Sequence, residues 1–250
     1  MNALARMPSD TQLIALDNPI WRALSTTHAA FAEGDDFARG YPPAVTPLAA
    51  IRDPSVASLK ALGRLLRPRG RMAGLFLDAP LELASDWALV RQIPLNQMIW
   101  TGERSESKTV YSADRQEDGI ELLNLSHARE MLSLAEMTQP GPFGMRTPEL
   151  GTYFGIRRAG QLVAMAGERL RFPGYTEVSA VCTKPHHQGH GYAGALVKAV
   201  VRHIMARGEI PFLHVAGENL HAIRLYERLG FRTRRSLDLL VVRNDGGGDA

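Results

Sequence analysis

Seven residues constrain this chain more than any others: Gln188-Gly189-His190-Gly191-Tyr192-Ala193-Gly194. Ahead of them, Glu177–Thr183 (EVSAVCT) has strand character. Behind them, Leu196, Val200 and Ile204 recur every four residues, the period of a helix that Gly208 should end. Three glycines within 189–194, at the start of a helix, let the backbone turn tightly and aim successive N–H groups outward. Together with the partial positive charge of a helix N-terminus, those groups form a cradle for a phosphate. An ordinary strand-to-helix turn does not need that many glycines, and each carries an entropic cost.

The elements around the loop follow the same reasoning. Ile120–Leu125 reads as a strand, followed by a helix from His127 to about Met137 capped by Ser126. Tyr153–Arg157 and Leu162–Arg169 form a hairpin turning at Ala159–Gly160, and Glu177–Thr183 extends it to an antiparallel meander. Beyond the loop helix come a strand at Ile210–Val215, a short helix capped by Asn219 and closed by Gly230, and a last strand at Leu237–Val242. This order predicts an α/β fold: a mixed, mostly antiparallel sheet with helices on both faces. The first half holds nine of the fifteen prolines and breaks into shorter pieces. Among these are a helix at Ser55–Leu66 and strands at Met72–Leu77, Trp87–Ile93 and Leu95–Trp100. The polar stretch 101–118 separates the halves, so the expected division is an α/β domain over 1–105, a linker over 106–118 and a functional domain over 119–250. Gly246–Gly248 reads as a frayed tail.

Composition narrows the partners. Twenty-nine basic against 26 acidic residues leave a net charge of only +3. The arginines cluster at Arg64, Arg67, Arg69 and Arg71 and again at Arg232, Arg234 and Arg235, without interleaved aromatics, so no nucleic-acid partner is expected. Apolar runs such as 44–51 fall far short of the roughly 20 residues that span a bilayer, so no membrane partner is expected. The opening residues lack the apolar stretch of a signal peptide, and the single cysteine, Cys182, suits a reducing compartment; a cytoplasmic location is expected. Oligomeric state is not legible.

Read literally, 189–194 also fits the dinucleotide-binding G-x-G-x-x-G. Lys184–Gln188 intervene between strand and first glycine, however. Glu209 has the spacing of the ribose-binding acid but precedes the next strand, Glu218 comes too late, and the preceding strands form a meander rather than a βαβ series. A better match is an acyl-CoA loop. Gln188-x-x-Gly191-x-Ala193 resembles the Gln/Arg-x-x-Gly-x-Gly/Ala signature of the GNAT N-acetyltransferase superfamily. VSAVCTKPHHQGHGYAGALV (178–197) and PFLHVAGENLHAIRLYERLGF (211–231) are similar to that family's coenzyme A-binding strand, loop and helix and to its following strand and helix. The resemblance covers about 119–243, is closest to glycine N-acyltransferase-like enzymes, and allows the N-terminal half to be a diverged copy of the same fold. Gln188, flanked by His187 and His190, departs from the arginine-rich loops commoner in the family.

The resemblance implies an acyl-CoA-dependent N-acyltransferase that moves an acetyl or short acyl group from acetyl-CoA, or another acyl-CoA, to a primary amine of a small molecule or peptide. It implies cofactor contacts at Val181, Cys182 and Thr183 on the strand, at Gln188, Gly189, His190, Gly191, Tyr192 and Ala193 on the loop, and at Asn219. It also implies a strand N–H that polarises the thioester carbonyl. A phenol can protonate a departing thiolate, and the family places a tyrosine at the position of Tyr226 for that role. Glu177, opening the strand that leads to the loop, is the candidate base for the amine, with Glu168 a second choice. Cys182 within AVCT reads as a small buried hydrophobe rather than a nucleophile. His186, His187 and His190 invite a metal, but a glycine loop holds ligands poorly and no carboxylate or cysteine completes the set, so no metal is expected. The competing function is a coenzyme A-binding sensor without catalysis.

Overall fold

The computed structural model describes residues 13–67, 71–79, 81–102 and 119–245. The expected linker at 106–118 and the Gly246–Gly248 tail lie outside the described residues.

A 3₁₀ turn at Ile14–Leu16 leads into helix α1 (Pro19–Ser25), whose proline occupies the first helical position where no N–H is needed. Asn18 caps it, accepting a hydrogen bond from Trp21 N at 3.3 Å. A small antiparallel sheet follows, made of β1 (Glu33–Gly34), β2 (Ala38–Gly40) and β3 (Ala49–Ile51). Ser55 then caps α2 (Val56–Leu66) by accepting from Ser58 N. Next come β4 (Met72–Leu77) and β5 (Trp87–Trp100). The sequence predicts a break at Pro94, but the structure has one continuous strand. Pro94 sits at the end of the β5 ladder with a neighbouring strand, where its carbonyl accepts from Gly217 N at 2.9 Å. The proline therefore ends that ladder without ending the strand.

After residue 118 come β6 (Ile120–Leu123) and α3 (Ala128–Thr138). The expected cap, Ser126, is displaced by Asn124, which accepts from Ser126 N at 2.9 Å while His127 Nδ1 accepts from Asn124 N. This reciprocal box adds a short 3₁₀ turn before α3. The meander is β7 (Tyr153–Arg158), β8 (Gln161–Phe172) and β9 (Tyr175–Thr183). The loop helix is α4 (Tyr192–Ala206), followed by β10 (Ile210–Ala216), α5 (Leu220–Arg228) and β11 (Phe231–Asn244). β11 is longer than the Leu237–Val242 read from sequence, because its arginine-rich start also pairs with β5, across a bulge near Thr233–Arg235.

The main sheet has eight strands in the order β4-β11-β5-β10-β9-β8-β7-β6, with β9 and β10 parallel and the other neighbours antiparallel. One sheet thus runs across both sides of the stretch expected as a linker: β5 lies between β10 and β11, and β11 lies between β4 and β5. Two arginines of the Arg232–Arg235 cluster tie these parts together. Arg234 reaches Asp17 at 2.5 Å, and Arg235 reaches Asp78 at 2.7 Å.

Strand alternation sends neighbouring side chains to opposite faces. On one face, Leu196, Val200 and Ile204 of α4 and Tyr226 of α5 pack on Val163, Ala166, Val178 and Leu213. On the other, Met131 and Leu134 of α3 pack on Tyr153, Met165 and Cys182. Farther along that face, Leu16, Ile20 and Tyr41 cover Leu170, Phe172, Tyr175 and Phe212. Each such side chain contributes roughly 1.5–3 kcal/mol by leaving water, which fixes both helical layers against the sheet.

Candidate active site

The parallel pairing of β9 with β10 is short. It covers Tyr175–Glu177 against Ile210–Phe212 and then stops, although β9 runs on to Thr183 and β10 to Ala216. β10 stays paired with β5 through Ala216, so it is β9 that departs, and a wedge opens between the two strands. Within the wedge, β9 carries a bulge. Met165 faces Cys182 and Gly167 faces Ser179, so Ala166 alone stands against both Ala180 and Val181. Ala180 has a φ of +52°, a left-handed conformation that costs a non-glycine residue of order 1–3 kcal/mol. A bulge leaves a residue outside the ladder, which supplies the kind of backbone donor a thioester carbonyl needs.

The glycine loop closes the wide end of the wedge. Gly189 and Gly191 have φ of +80° and +78°, values that a side chain would oppose. Gly191 is the N-cap of the 15-residue α4 and supplies no side-chain cap, so the first-turn N–H groups face an incoming anion unscreened. Gly194 lies in the first turn of α4 and faces Leu225 of α5, where a Cβ would make an ordinary 3.6 Å contact. His190 Nδ1 lies 2.9 Å from the Gln188 carbonyl and its ring stacks on Tyr192 at 5.5 Å. Gln188 donates a long 3.5 Å bond to the Thr183 carbonyl, fastening the loop to β9. Ala193 lies in the first turn of α4, directly behind this cradle.

The loop also has a cation that sequence reading missed. Arg158, on the β7–β8 hairpin, donates to Tyr192 Oη at 2.9 Å and lies over its ring at 4.8 Å. It supplies positive charge where the family more often keeps arginines in the loop itself. Nothing local in the sequence marks it, because the hairpin and the loop meet only through the sheet.

The remaining wedge residues are placed as follows. Asn219 caps α5 by accepting from Ala222 N at 3.1 Å. Tyr226 is 8% exposed, in edge contact with Phe231 at 6.0 Å, within the cluster that also holds Val178 and Val181. Burial, with a smaller contribution from the nearby Cys182, pushes its phenol up to about 12, so it remains a proton donor. Cys182 is buried, and burial pushes its thiol up to about 11, which disfavours the thiolate a nucleophile requires. Val181 packs toward α4 and α5, while Thr183 ends the strand beside the loop.

Glu177 stands at the closed end of the wedge, fully buried. Its Oε1 accepts from Arg169 Nη2 at 2.6 Å and from His214 Nδ1 at 2.8 Å. Its Oε2 accepts from Arg169 Nε at 2.8 Å and from Leu170 N at 3.4 Å. Burial alone would raise this carboxyl, but the Arg169 guanidinium and the His214 bond outweigh it and hold the group at about 2. A carboxylate whose lone pairs are all engaged is a poor proton acceptor, which weighs against the base role read from sequence. Glu168, the second choice, is likewise buried, accepting from Arg207 at 2.8 Å and from Thr152 N at 3.2 Å.

Gln97 of β5 sets the state of His214. Its Oε1 accepts from Arg234 at 2.8 Å, so its amide nitrogen donates to the Leu16 carbonyl at 2.9 Å and to His214 Nε2 at 3.1 Å. His214 therefore accepts at Nε2 and donates Nδ1–H to Glu177, which makes it the neutral tautomer. Among the described residues no group of three His, Cys, Asp or Glu side chains could hold a metal ion, and no helix is long and apolar enough to cross a membrane.

A parallel strand pair that opens at a bulge, facing an uncapped helix behind a glycine loop, forms an anion-binding cleft of the kind that the GNAT resemblance implies. Known proteins agree. The FR47-like protein family profile matches residues 153–238. A solved GNAT-family structure from Novosphingobium aromaticivorans is 35% identical, covers 91% of this chain and 97% of its own, and superposes with a TM-score of 0.81. A GCN5-related N-acetyltransferase from Kribbella flavida, 17% identical over 97% of this chain and 98% of its own, shares the fold with a TM-score of 0.62. A protein of Bacillus subtilis subsp. natto named "Probable spermine N(1)-acetyltransferase" is 28% identical over 127 residues, 47% of this chain and 83% of the relative. The chain belongs to the GNAT family of N-acetyltransferases, which transfer an acyl group from acyl-CoA to an amine.

Proposed function

We propose that this chain transfers an acetyl or short acyl group from acetyl-CoA, or a close acyl-CoA, to the primary amine of a small molecule, by direct attack within a ternary complex. The observation that carries this reading is the opening of β9 away from β10 at Glu177 and Phe212, beside the uncapped N-terminus of α4. Pyrophosphate would lie against Gln188, Gly189, His190, Gly191, Tyr192 and Ala193, and the pantetheine arm along Val181, Cys182 and Thr183, with Asn219 at the far wall. The amine nitrogen forms its bond to the thioester carbon, the carbon–sulfur bond breaks, Tyr226 gives its proton to the leaving thiolate, and the proton the nitrogen sheds restores the phenol. Since Glu177 is fully engaged by Arg169, His214 and Leu170 N, the amine attacks as the free base, and Glu177 braces the closed end of the wedge.

The natto relative's name supports a small-molecule amine, polyamines included, as the acceptor class. Similarity to glycine N-acyltransferase-like enzymes rests on 178–197 and 211–231 alone. We read 119–250 as the acyltransferase unit and 1–105 as its partner, because every proposed contact to acyl-CoA comes from the later part while β4 and β5 complete the sheet. The single cysteine fits a cytoplasmic setting. Incubating the protein with acetyl-CoA and a panel of small primary amines, and following free thiol release, tests the reading. Amine-dependent thiol release is expected. Tight coenzyme A binding without release for any amine would favour the sensor.

A further inference from the structure

Tyr153 opens β7 and stands directly opposite Gly167 on β8, and Gly167 in turn pairs with Ser179 on β9, one residue before the bulge. A Cβ on Gly167 would fall 2.3–2.5 Å from ring atoms of Tyr153, so the ring lies across that glycine and its hydroxyl extends toward β9. Neighbouring strands are about 4.8 Å apart, and a tyrosine side chain reaches past one of them. The ring is 1% exposed on the α3 face, opposite the α4–α5 layer, and Phe143 of the loop after α3 meets it edge-on at 5.8 Å. Arg169, Glu177, Glu168 and Cys182 all act on it electrostatically. Among the described residues its hydroxyl has no hydrogen-bond partner.

A buried hydroxyl without a partner costs stability, and phenylalanine would fill the same space without that cost. The glycine beneath the ring is a second local cost, since glycine weakens a strand interior. The two together leave one unpartnered hydroxyl on the α3 face of the sheet, in the cluster that also holds the bulge residue Ala180 and Cys182. We propose that Tyr153 is a further catalytic residue of the acyl transfer. Its hydroxyl oxygen accepts a hydrogen bond from the attacking amine and points the nitrogen lone pair at the thioester carbonyl. This inference rests on the placement of the acyl group at the β9 bulge proposed above. Tyr153 itself neither gains nor loses a proton. The amine nitrogen bonds to the carbonyl carbon and the carbon–sulfur bond breaks. The thiolate takes the Tyr226 proton, and the proton the nitrogen sheds makes good that loss.

Tyr153→Phe keeps the ring on Gly167 and removes only the hydroxyl. With the best amine of the panel, kcat/KM for the amine should fall about ten- to hundredfold, the scale on which misplacing a reactant costs rate. Acetyl-CoA affinity by calorimetry should be unchanged, and the unfolding temperature equal to or above that of the wild type. An unchanged kcat/KM would overturn the proposal, and so would a fall accompanied by a lower unfolding temperature and weaker acetyl-CoA binding, which marks the hydroxyl as structural. Gly191→Asp, run in parallel, separates this from the underlying placement. If that variant binds acetyl-CoA normally, the placement fails and takes the Tyr153 role with it. If it loses acetyl-CoA while Tyr153→Phe behaves as wild type, only the Tyr153 role falls.

Discussion

The two ends of β9 are built on opposite terms. At the end where β9 still pairs with β10, Glu177, Arg169, His214 and Gln97 form a sealed cluster, with four donors on one carboxylate. At the end where the strands part, the bulged Ala180 is strained, the α4 N-terminus has no side-chain cap, and the Thr183 and Tyr153 hydroxyls are buried without protein partners among the described residues. Three or four residues separate the two regimes. A fold optimised only for stability would satisfy both ends. The contrast supports the proposed division of labour, with the closed end as brace and the open end as reaction site.

Tyr226→Phe should break the open end most severely. The variant keeps its ring against Phe231 and loses the donor, so turnover should fall roughly 10²–10⁴-fold with chemistry rate-limiting, while acetyl-CoA affinity barely moves. Stopped-flow single turnover measures that step directly.

Glu177→Gln attacks the closed end and should act on stability. It leaves the Arg169 charge buried without its counter-ion, at a cost of about 3–5 kcal/mol in denaturant unfolding. Turnover per folded molecule should drop by far less than in Tyr226→Phe; a loss as large would restore Glu177 as the base. The same cluster predicts acid sensitivity. His214 is lowered by burial from 6.5 and Glu177 is held at about 2 against 4.5 when free; outside the cluster, His28, whose Nδ1 lies 2.8 Å from Tyr41 Oη, is lowered by burial to about 4. All three folded values lie below the unfolded ones, so their stabilisation is complete at neutral pH and lost as pH falls. The decline in unfolding midpoint should start near pH 6.5 with the histidines and continue below 4.5 with Glu177.

Gly191→Asp places a carboxylate and a Cβ at a φ of +78° in front of the helix terminus. Acetyl-CoA affinity should weaken about a hundredfold, since like charges in contact cost several kcal/mol. The smallest effect belongs to Cys182→Ala, which should lose about 1 kcal/mol of stability and little activity. Trapping an acyl group on Cys182 by mass spectrometry would overturn direct transfer.

The open end was the more legible one in the sequence. Its signals are local: glycines beside a helix, an Asn cap at 219, a tyrosine one helical face away. The loop, α4, α5 and the meander are therefore readable within a residue or two, apart from β8, which runs three residues past Arg169 to Phe172. The closed end is assembled from β8, β9, β10, β5 and β11, and no local pattern announces that Gln97 will meet His214. Glu177 accordingly looked like a free carboxylate at a strand start. Ser126 reads as the cap because it adjoins the helix, whereas Asn124 reaches over it to close a box with His127. Pro94 suggested a break because a proline lacks a ladder donor, and the sequence does not show that the neighbouring ladder ends there.

The threading of β11 between β4 and β5 carries a kinetic consequence. Trp87 pairs with Asn244 and Leu77 with Asp238, so strands made early find this partner only after most of the chain has left the ribosome. Until then β4 and β5 present unpaired edges, and pairings so distant in sequence are slow to form. The halves cannot mature one after the other, as separate domains do during synthesis. Folding should wait on the last strand and then lock cooperatively, in a single late step that a fragment ending before Phe231 never reaches.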